Sequence, residues 1–459
     1  MTAAGRLTAL LCLVLAAASP GASAQVPLPS GPTESSDRQR DARDEPRSRA
    51  KTGKRSRRPS WRLGRALELE LAGRVERDVR GPTPDIGLAQ STSYWQDRRL
   101  GVKGTAFGRI GFEVSRELGL DFEEAAGLSE KTPWRDVYAD IRLSRALSVA
   151  VGQFKLPFSH EELLGETDLD FVYRSRAARL LAPGRDPGVM AHGRVGGRRL
   201  EYQAGCFTRD GMNGRTSQTR GGRDACAGRV TIRPLSTRTP RLGNLALGAA
   251  VADSRLDHQL GIRGQSVFGD NVFFDRVFVN GQRRRLGWEA TWSAGPVGVA
   301  AEWMTLSEQR RGMGFSAADL EPVRATGWYV SGTWALTGER KRGRLEPAHP
   351  LLAGGPGGAG GAGGLGALEL AVRIDVLRFD ALRFDAMSPP ATALDNSDAS
   401  QVAGNADHVV TLGLNWYVNH YAKLQANLVR ESMDDPQRSP APVSHGHFAS
   451  TVLRLQLRF

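Results

Sequence analysis

From Trp61 to the C-terminus, apolar and polar side chains alternate position by position. In "LGRALELELAGRV", Leu63, Leu67, Leu69, Leu71 and Val75 share one face, with Glu68, Glu70 and Arg74 on the other. "DVYADIRLS" sets Val137, Ala139, Ile141 and Leu143 against Asp136, Tyr138, Asp140 and Arg142. "GWYVSGTWALTGE", "LELAVRIDV" and "VTLGLNWYVN" repeat the pattern. In the closing "FASTVLRLQLRF", Thr451, Leu453, Leu455, Leu457 and Phe459 oppose Arg454, Gln456 and Arg458. Successive side chains of an extended strand point to opposite faces, so a period of two predicts β-strands; helical spacing fits none of these segments as well. The chain reads as all-β.

A soluble β-sandwich alternates too, so the question is which face is wet. The strands read as about nine to eleven residues, the length that crosses a bilayer at a tilt. Tight connections at Ser144-Arg145-Ala146, Ala294-Gly295-Pro296 and Asn419-His420-Tyr421 alternate with long polar segments at 205–228, 308–325, 353–366 and 388–406. Short turns at one end and long loops at the other are the pattern of an outer-membrane barrel. Trp134, Trp303, Trp416, Tyr417 and Tyr421 are placed near strand ends as members of aromatic girdles. The leucines then face lipid and the arginines a water-filled lumen. Closure is compulsory, because lipid would leave the edge N–H and C=O groups of an open sheet unpaired. The expected fold is a transmembrane antiparallel β-barrel. Its length suits 16 strands, with 18 as the alternative, and either number leaves an aqueous channel.

The N-terminus is different. Arg6, the short apolar run "LTALLCLVLAAA" and the small residues Ala22-Ser23-Ala24 make residues 1–24 a signal peptide, too short in its apolar part to span. Residues 25–60 read as a disordered basic arm, since 31–60 hold ten Lys/Arg against five Asp/Glu and no large apolar side chain. The barrel is assigned to 61–459. Of the formal charge of +13, about +7 remains on it, so no extreme field dominates. Cys206 and Cys226 fall in a Gly/Arg-rich stretch that reads as a surface loop, where export permits a disulfide. No histidine pair nearby gives a zinc spacing, so no metal and no cofactor are expected.

Several segments resemble the phosphate-selective porin O and P family. They are "LSVAVGQFKLPF" (147–158), "ETDLDFVYRSRAARLLAPGRDPGV" (166–189), "GPVGVAAEW" (295–303), "GWYVSGTWALTGE" (327–339), "GALELAVRIDVL" (366–377), "LGLNWYVN" (412–419) and the closing "LRLQLRF" (453–459). The resemblance implies a 16-stranded barrel, a homotrimer, and one constriction loop folded into the pore. It also implies anion permeation, with phosphate or polyphosphate as candidate permeants. The tandem arginines of "QDRRLGVKG", Arg98 and Arg99, are similar to a pair that lines the family's pore. Lys103 and Arg109 continue the polar face after Arg99. Lys155, Arg174, Arg176, Arg179 and Arg185 come from the segment that would fold inward. Fixed positive charge in a narrow low-dielectric passage concentrates anions, and the arginine fork matches phosphate. Glu161, Glu162, Glu166, Asp168 and Asp170 on the same loop would offset part of that charge. The terminal Phe459 resembles the signal by which outer-membrane assembly machinery recognises its clients.

Three other classes fit less well. An outer-membrane enzyme needs a nucleophile beside a base, yet the eight histidines are scattered and there is no Gly-x-Ser-x-Gly elbow. A structural or adhesive barrel without conductance would want a plug domain of its own. Nucleic-acid binding would want clustered basic residues with stacking aromatics, whereas the basic residues here alternate with lipid-type side chains. The expected protein is therefore a bacterial outer-membrane porin for small hydrophilic solutes, with a non-selective general porin as the alternative within the class.

Overall fold

Every one of the alternating segments forms a strand. In the computed structural model of the chain the described residues are 59–64, 66–83, 90–119, 133–197, 199–213, 222–235, 243–269, 271–351, 364–380, 404–435 and 446–459. The expected signal peptide and nearly all of the basic arm lie outside them, as do most of the Gly-rich run and of 388–406. Sixteen strands make the wall. They are β1 (Leu67–Arg80), β2 (Thr92–Ala106), β3 (Ile110–Glu117), β4 (Trp134–Arg142), β5 (Ser148–Lys155), β6 (Arg185–Val195), β7 (Leu200–Arg209) and β8 (Arg223–Ile232). There follow β9 (Asn244–Leu260), β10 (Phe278–Ala294), β11 (Val297–Arg310), β12 (Leu320–Ala335), β13 (Ala367–Phe379), β14 (Asn405–Tyr417), β15 (Ala422–Met433) and β16 (His447–Arg458). Each pairs antiparallel with its sequence neighbour, and β16 returns to β1 through Val452↔Arg80 to Arg458↔Arg74. The sheet is a closed 16-stranded antiparallel β-barrel.

The register confirms which face is which. Leu453, Leu455 and Leu457 are exposed on the outside, while Arg454 and Gln456 are buried within and bond Asp78 and Glu76 across the seam. Several strands exceed the expected length, β9 and β10 reaching 17 residues. They extend past the ~30 Å hydrocarbon thickness.

At the seam the chain's last residue is locked into the first strand. Phe459 N donates to Gly73 O at 3.0 Å and Gly73 N to Phe459 O at 3.1 Å. The Phe459 ring lies over Gly73 so closely that a Cβ there would sit 2.1 Å from Cζ. Below this point the short strand Ser60–Leu63 takes over as the partner of Leu67–Glu70.

The two ends of the barrel differ, with four corrections to the sequence reading. The termini share an end with the turns 107–109, 143–147, 196–199, 295–296 and 418–421. That end, periplasmic by this asymmetry, also bears the long connection 336–366, so the Gly-rich segment does not join the extracellular loops. Next, about half of 205–228 and half of 308–325 is strand, because β7, β8, β11 and β12 project beyond the bilayer; the strands end at Arg209 and Arg310 and resume at Arg223 and Leu320. Cys206 and Cys226 are therefore directly paired positions of β7 and β8, with sulfurs 2.13 Å apart in a disulfide on the outer face. Finally, Tyr417 is wholly buried on the lumen side and donates to Glu369 (2.8 Å), and Trp303 sits in the middle of β11 rather than at its end.

The lumen is far from empty. Phe158 and Leu181 of the 156–184 loop pack with Phe273, Phe274 and Val277 of the 261–277 loop against Met304, Leu306, Ala325, Leu377 and Phe379 of the wall. This apolar core occupies the extracellular half of the lumen beside β10–β13. Gly73→Val should expel the Phe459 ring and weaken the seam by about 1–3 kcal/mol, the usual range for overpacking. A heat-modifiability gel would then show the folded band lost at a lower temperature than in the parent protein.

Candidate pore constriction

The connection between β5 and β6 turns inward at a neck closed by Leu156 N to Gly184 O, 2.8 Å. It contains two short helices, α1 (His160–Leu163) and α2 (Arg176–Leu180), with Ser159 and Ser175 as their N-caps. Wall carboxylates receive the free N–H groups at the start of each, groups that must find acceptors somewhere. Glu302 on β11 accepts from His160 N (2.9 Å), Glu161 N (2.7 Å) and Tyr329 Oη (2.8 Å). Asp375 on β13 accepts from Arg176 N at 3.1 Å. Arg373 completes the mooring by donating to Glu161 Oε1 (3.0 Å) and Tyr173 O (2.9 Å). Glycines let the loop lie close: a Cβ at Gly327 would come 2.8 Å from Ala177, and one at Gly287 would come 3.1 Å from Phe158. The loop thus lies along β10–β16 and faces β1–β6.

On that facing wall the charges form a ladder. Arg74 pairs with Asp97, which Arg99 also approaches at 3.4 Å. Arg99 and Arg135 lie 3.6 and 3.8 Å from Glu117. Arg185 makes a bidentate contact with Asp136, at 3.0 and 2.9 Å. From the loop side Arg174 bonds Glu166 and lies 3.3 Å from Glu162. Lys155 donates to the carbonyls of Glu162 and Leu164. Burial pushes the Glu166 carboxyl up, but Arg174, Arg74 and Lys155 more than offset this and hold it well below the ordinary carboxylate range. Its dependence on Arg74 and Lys155 places the loop tip within electrostatic reach of the wall.

Two cross-strand pairs in this ladder are of like charge. Arg74 is directly opposite Arg99 across β1 and β2, and Lys155 is directly opposite Arg185 across β5 and β6. Like charges so placed are destabilising. Asp97, Glu117, Asp136, Glu162 and Glu166 offset them only in part, being five carboxylates against the six cations Arg74, Arg99, Arg135, Lys155, Arg174 and Arg185. Among the described residues the buried Nε groups of Arg74 and Arg99 have no hydrogen-bond acceptor, the nearest carboxylate to Arg99 Nε being Glu117 at 3.6 Å.

A second insert enters from the periplasmic mouth. Lys341, buried, bonds Asp170 of the loop (2.5 Å) and Glu369 of β13 (2.6 Å). Arg344 reaches Thr167 O and Gln456 Oε1, both at 3.1 Å, and Glu346 takes Arg458 at 3.0 Å. Leu345 seats the strap in a small cluster with Ala335, Ala367 and Tyr417. The strap and the constriction loop are thus tied together inside the barrel.

The residues expected from sequence do not all reach the constriction. Arg99, Lys155, Arg174 and Arg185 meet in the ladder, while Lys103 lies lower on the same inner face, paired with Glu113 at 2.8 Å. Arg98 is a correction: it pairs with Val75 on the lipid face, since consecutive residues of a strand cannot both point inward. Arg176 is another, for it is fully buried and spent on the carbonyls of Gln265 and Ser266. Arg179 donates to Val267 O at 3.2 Å beside Tyr173, and Arg109 is a third correction, being in the exposed β2–β3 turn below the polar run rather than on it. Sequence reasoning passed over Arg74, Asp97, Glu117, Arg135, Asp136 and Lys341. The first was visible as a polar-face residue of β1, but its partner depended on strand register.

The profile of the family described as phosphate-selective porin O and P matches residues 69–459. No curated relative matches the sequence. Among solved structures, in-vitro folded OmpT, an outer-membrane protein of Vibrio cholerae, superposes with a TM-score of 0.54 at 9% identity, covering 87% of this chain and 99% of that one. The outer-membrane channel DcaP of Acinetobacter baumannii gives 0.52 at 10% identity, with 87% and 99% covered. An anion-selective porin from Comamonas acidovorans gives 0.51 at 14%, with 86% and 100% covered. At such identities the likeness is one of fold.

Lys341→Met would leave half-buried Asp170 without its partner and strand Glu369 as a buried charge, a change that costs about 3–5 kcal/mol when one partner of a buried pair is removed. The folded barrel should melt earlier and, in planar bilayers, show increased open-channel current noise as the loop tip loses its tether.

Proposed function

Because the chain belongs to the phosphate-selective porin O and P family, matched over residues 69–459, we propose that this outer-membrane barrel is a passive channel for small hydrophilic solutes that prefers anions. The observation that carries the preference is the pair of like-charged contacts at the constriction, Arg74 opposite Arg99 and Lys155 opposite Arg185. A strand pair gains nothing by facing two cations. An anion passing between wall and loop would relieve that repulsion. A line of such sites of moderate depth concentrates anions yet lets them leave. The five neighbouring carboxylates keep the excess small, which favours a graded preference over a deep well. Phosphate fits as one permeant among several anions, since arginine offers two parallel N–H groups to it. One structural relative is described as anion-selective, but the proposal rests on the lumen charges of this chain. Assembly as a homotrimer follows from the family, and chemical cross-linking of the folded protein should trap a three-subunit species.

Reversal potentials in a salt gradient test the channel reading. The parent protein should conduct and favour anions. Arg99→Gln should lower the anion-to-cation permeability ratio by roughly two- to fivefold, as expected for one partly screened lumen charge. Arg98→Gln, on the opposite face, should leave it alone. No conductance would remove the porin reading, and equal ratios for parent and Arg99→Gln would remove the role given to the ladder.

A further inference from the structure

Outside the barrel, at the extracellular end of β1–β4, three arginines stand on the lipid-facing surface with aromatic neighbours. Arg77 lies over the Trp95 ring at 4.7 Å, and Arg98 approaches the same ring at 5.9 Å. Arg116 lies over Trp134 at 5.3 Å. The register brings them together: Arg77 faces Trp95, Leu100 faces Arg116, and Arg116 faces Trp134. Leu118 N bonds Arg98 O, so Arg98 sits level with the top of β3. Below them the outer face is apolar, with Leu100, Val102 and Val114 exposed.

No carboxylate among the described residues pairs with any of the three; Arg77 makes one side-chain bond, to Ser93 Oγ at 3.1 Å. The opposite sector differs. There the outward Arg223 and Arg284 have protein carboxylates, Asp257 at 2.9 Å and Asp253 at 3.5 Å. An outward arginine is costly at the bilayer midplane and nearly neutral near the interface, so these three belong at headgroup level. Cations held flat on indole rings at that level, above an apolar strip, present N–H forks to whatever anion the membrane offers. The outer leaflet of an outer membrane offers phosphorylated glycolipid.

We propose that Arg77, Arg98 and Arg116, with Trp95 and Trp134 as platforms, form a binding site for the phosphate-bearing headgroup of an outer-leaflet glycolipid, whose acyl chains run down the apolar strip below. The site is independent of the pore and does not need the anion preference proposed for it.

The test is a titration of the detergent-purified, folded full-length protein with bisphosphoryl lipid A, read by native mass spectrometry. The parent should retain the lipid and bind its dephosphorylated form far more weakly. Arg77→Gln, Arg98→Gln and Arg116→Gln combined should weaken binding by roughly a hundredfold, each basic residue near the surface contributing a factor of about five. Arg223→Gln with Arg284→Gln should leave binding as in the parent, and single-channel conductance of the triple variant should be unchanged. If the triple variant fails to fold, each single substitution should still weaken binding severalfold on the same titration. Lipid A binding within about twofold of the parent after the substitutions overturns the proposal. So does displacement of the lipid by inorganic phosphate alone, which would mark a free-anion site. Cross-linking of Arg98→Cys to a neighbouring subunit also overturns it, by making the face a contact between copies of this chain.

Discussion

Hydrocarbon offers a peptide N–H no acceptor and a carbonyl no donor, and each unpaired group there costs several kcal/mol. The rest of the structure depends on meeting that condition all the way round. Fifteen antiparallel hairpin contacts come from neighbours in sequence, but the sixteenth joins the two ends of the chain, β16 to β1. The seam is the one junction that no turn holds together. It is secured by paired backbone at Gly73 and Phe459 and, inside, by Arg454 bonding Asp78 at 2.7 and 2.8 Å. A terminal aromatic on the outer face and an ion pair on the inner face seal the same joint from its two solvents.

Closure dictates what the interior must then do. Strand alternation puts every second side chain inward, and with lipid outside those positions collect the charges. Near the loop the charges leave bulk water, so an unpartnered one would be costly. The protein answers with shared carboxylates: Glu302 and Asp375 take backbone N–H groups of the loop, Glu369 takes Lys341, Tyr417 and Asn415. Where compensation is close, as at Glu302, Asp375 and Glu369, the loop is moored. Where it is incomplete, between β1–β6 and the loop tip, the passage keeps a small excess of positive charge. Mooring and selectivity are two outcomes of the same accounting of charge in a confined space.

This division explains what could be read in advance. The barrel was legible because period two, strand length and turn placement are local properties; the choice of 16 strands over 18 and the inward loop came from the family motifs, which lie in order along the chain. The ladder was half legible. Arg99, Lys155, Arg174 and Arg185 stood in recognisable segments, but Arg74 and Asp97 acquire meaning only when β1 and β2 are set in register. The strap around Lys341 was missed, since a polar connection beside a Gly-rich run carries no signal that it turns into the lumen. Cys206 and Cys226 misled in the other direction: glycine and arginine around them suggested a loop, where two strands extend past the membrane.

Arg98 shows most plainly why phase along a strand outranks residue type. Its neighbour Arg99 faces water in the lumen, so Arg98 must face outward, and a tandem pair can never line one pore as a unit. The irregularity between Glu76 and Arg77 then matters, because it leaves Gln96 out of the pairing and changes the phase of β2 at that point. Trp95, three residues before Arg98, would otherwise point into the lumen. The bulge instead brings Trp95 and Arg98 to the same outer face, beside Arg77. A single extra residue therefore keeps Trp95 out of the lumen and adds it to the outer surface where Arg77 and Arg98 already stand.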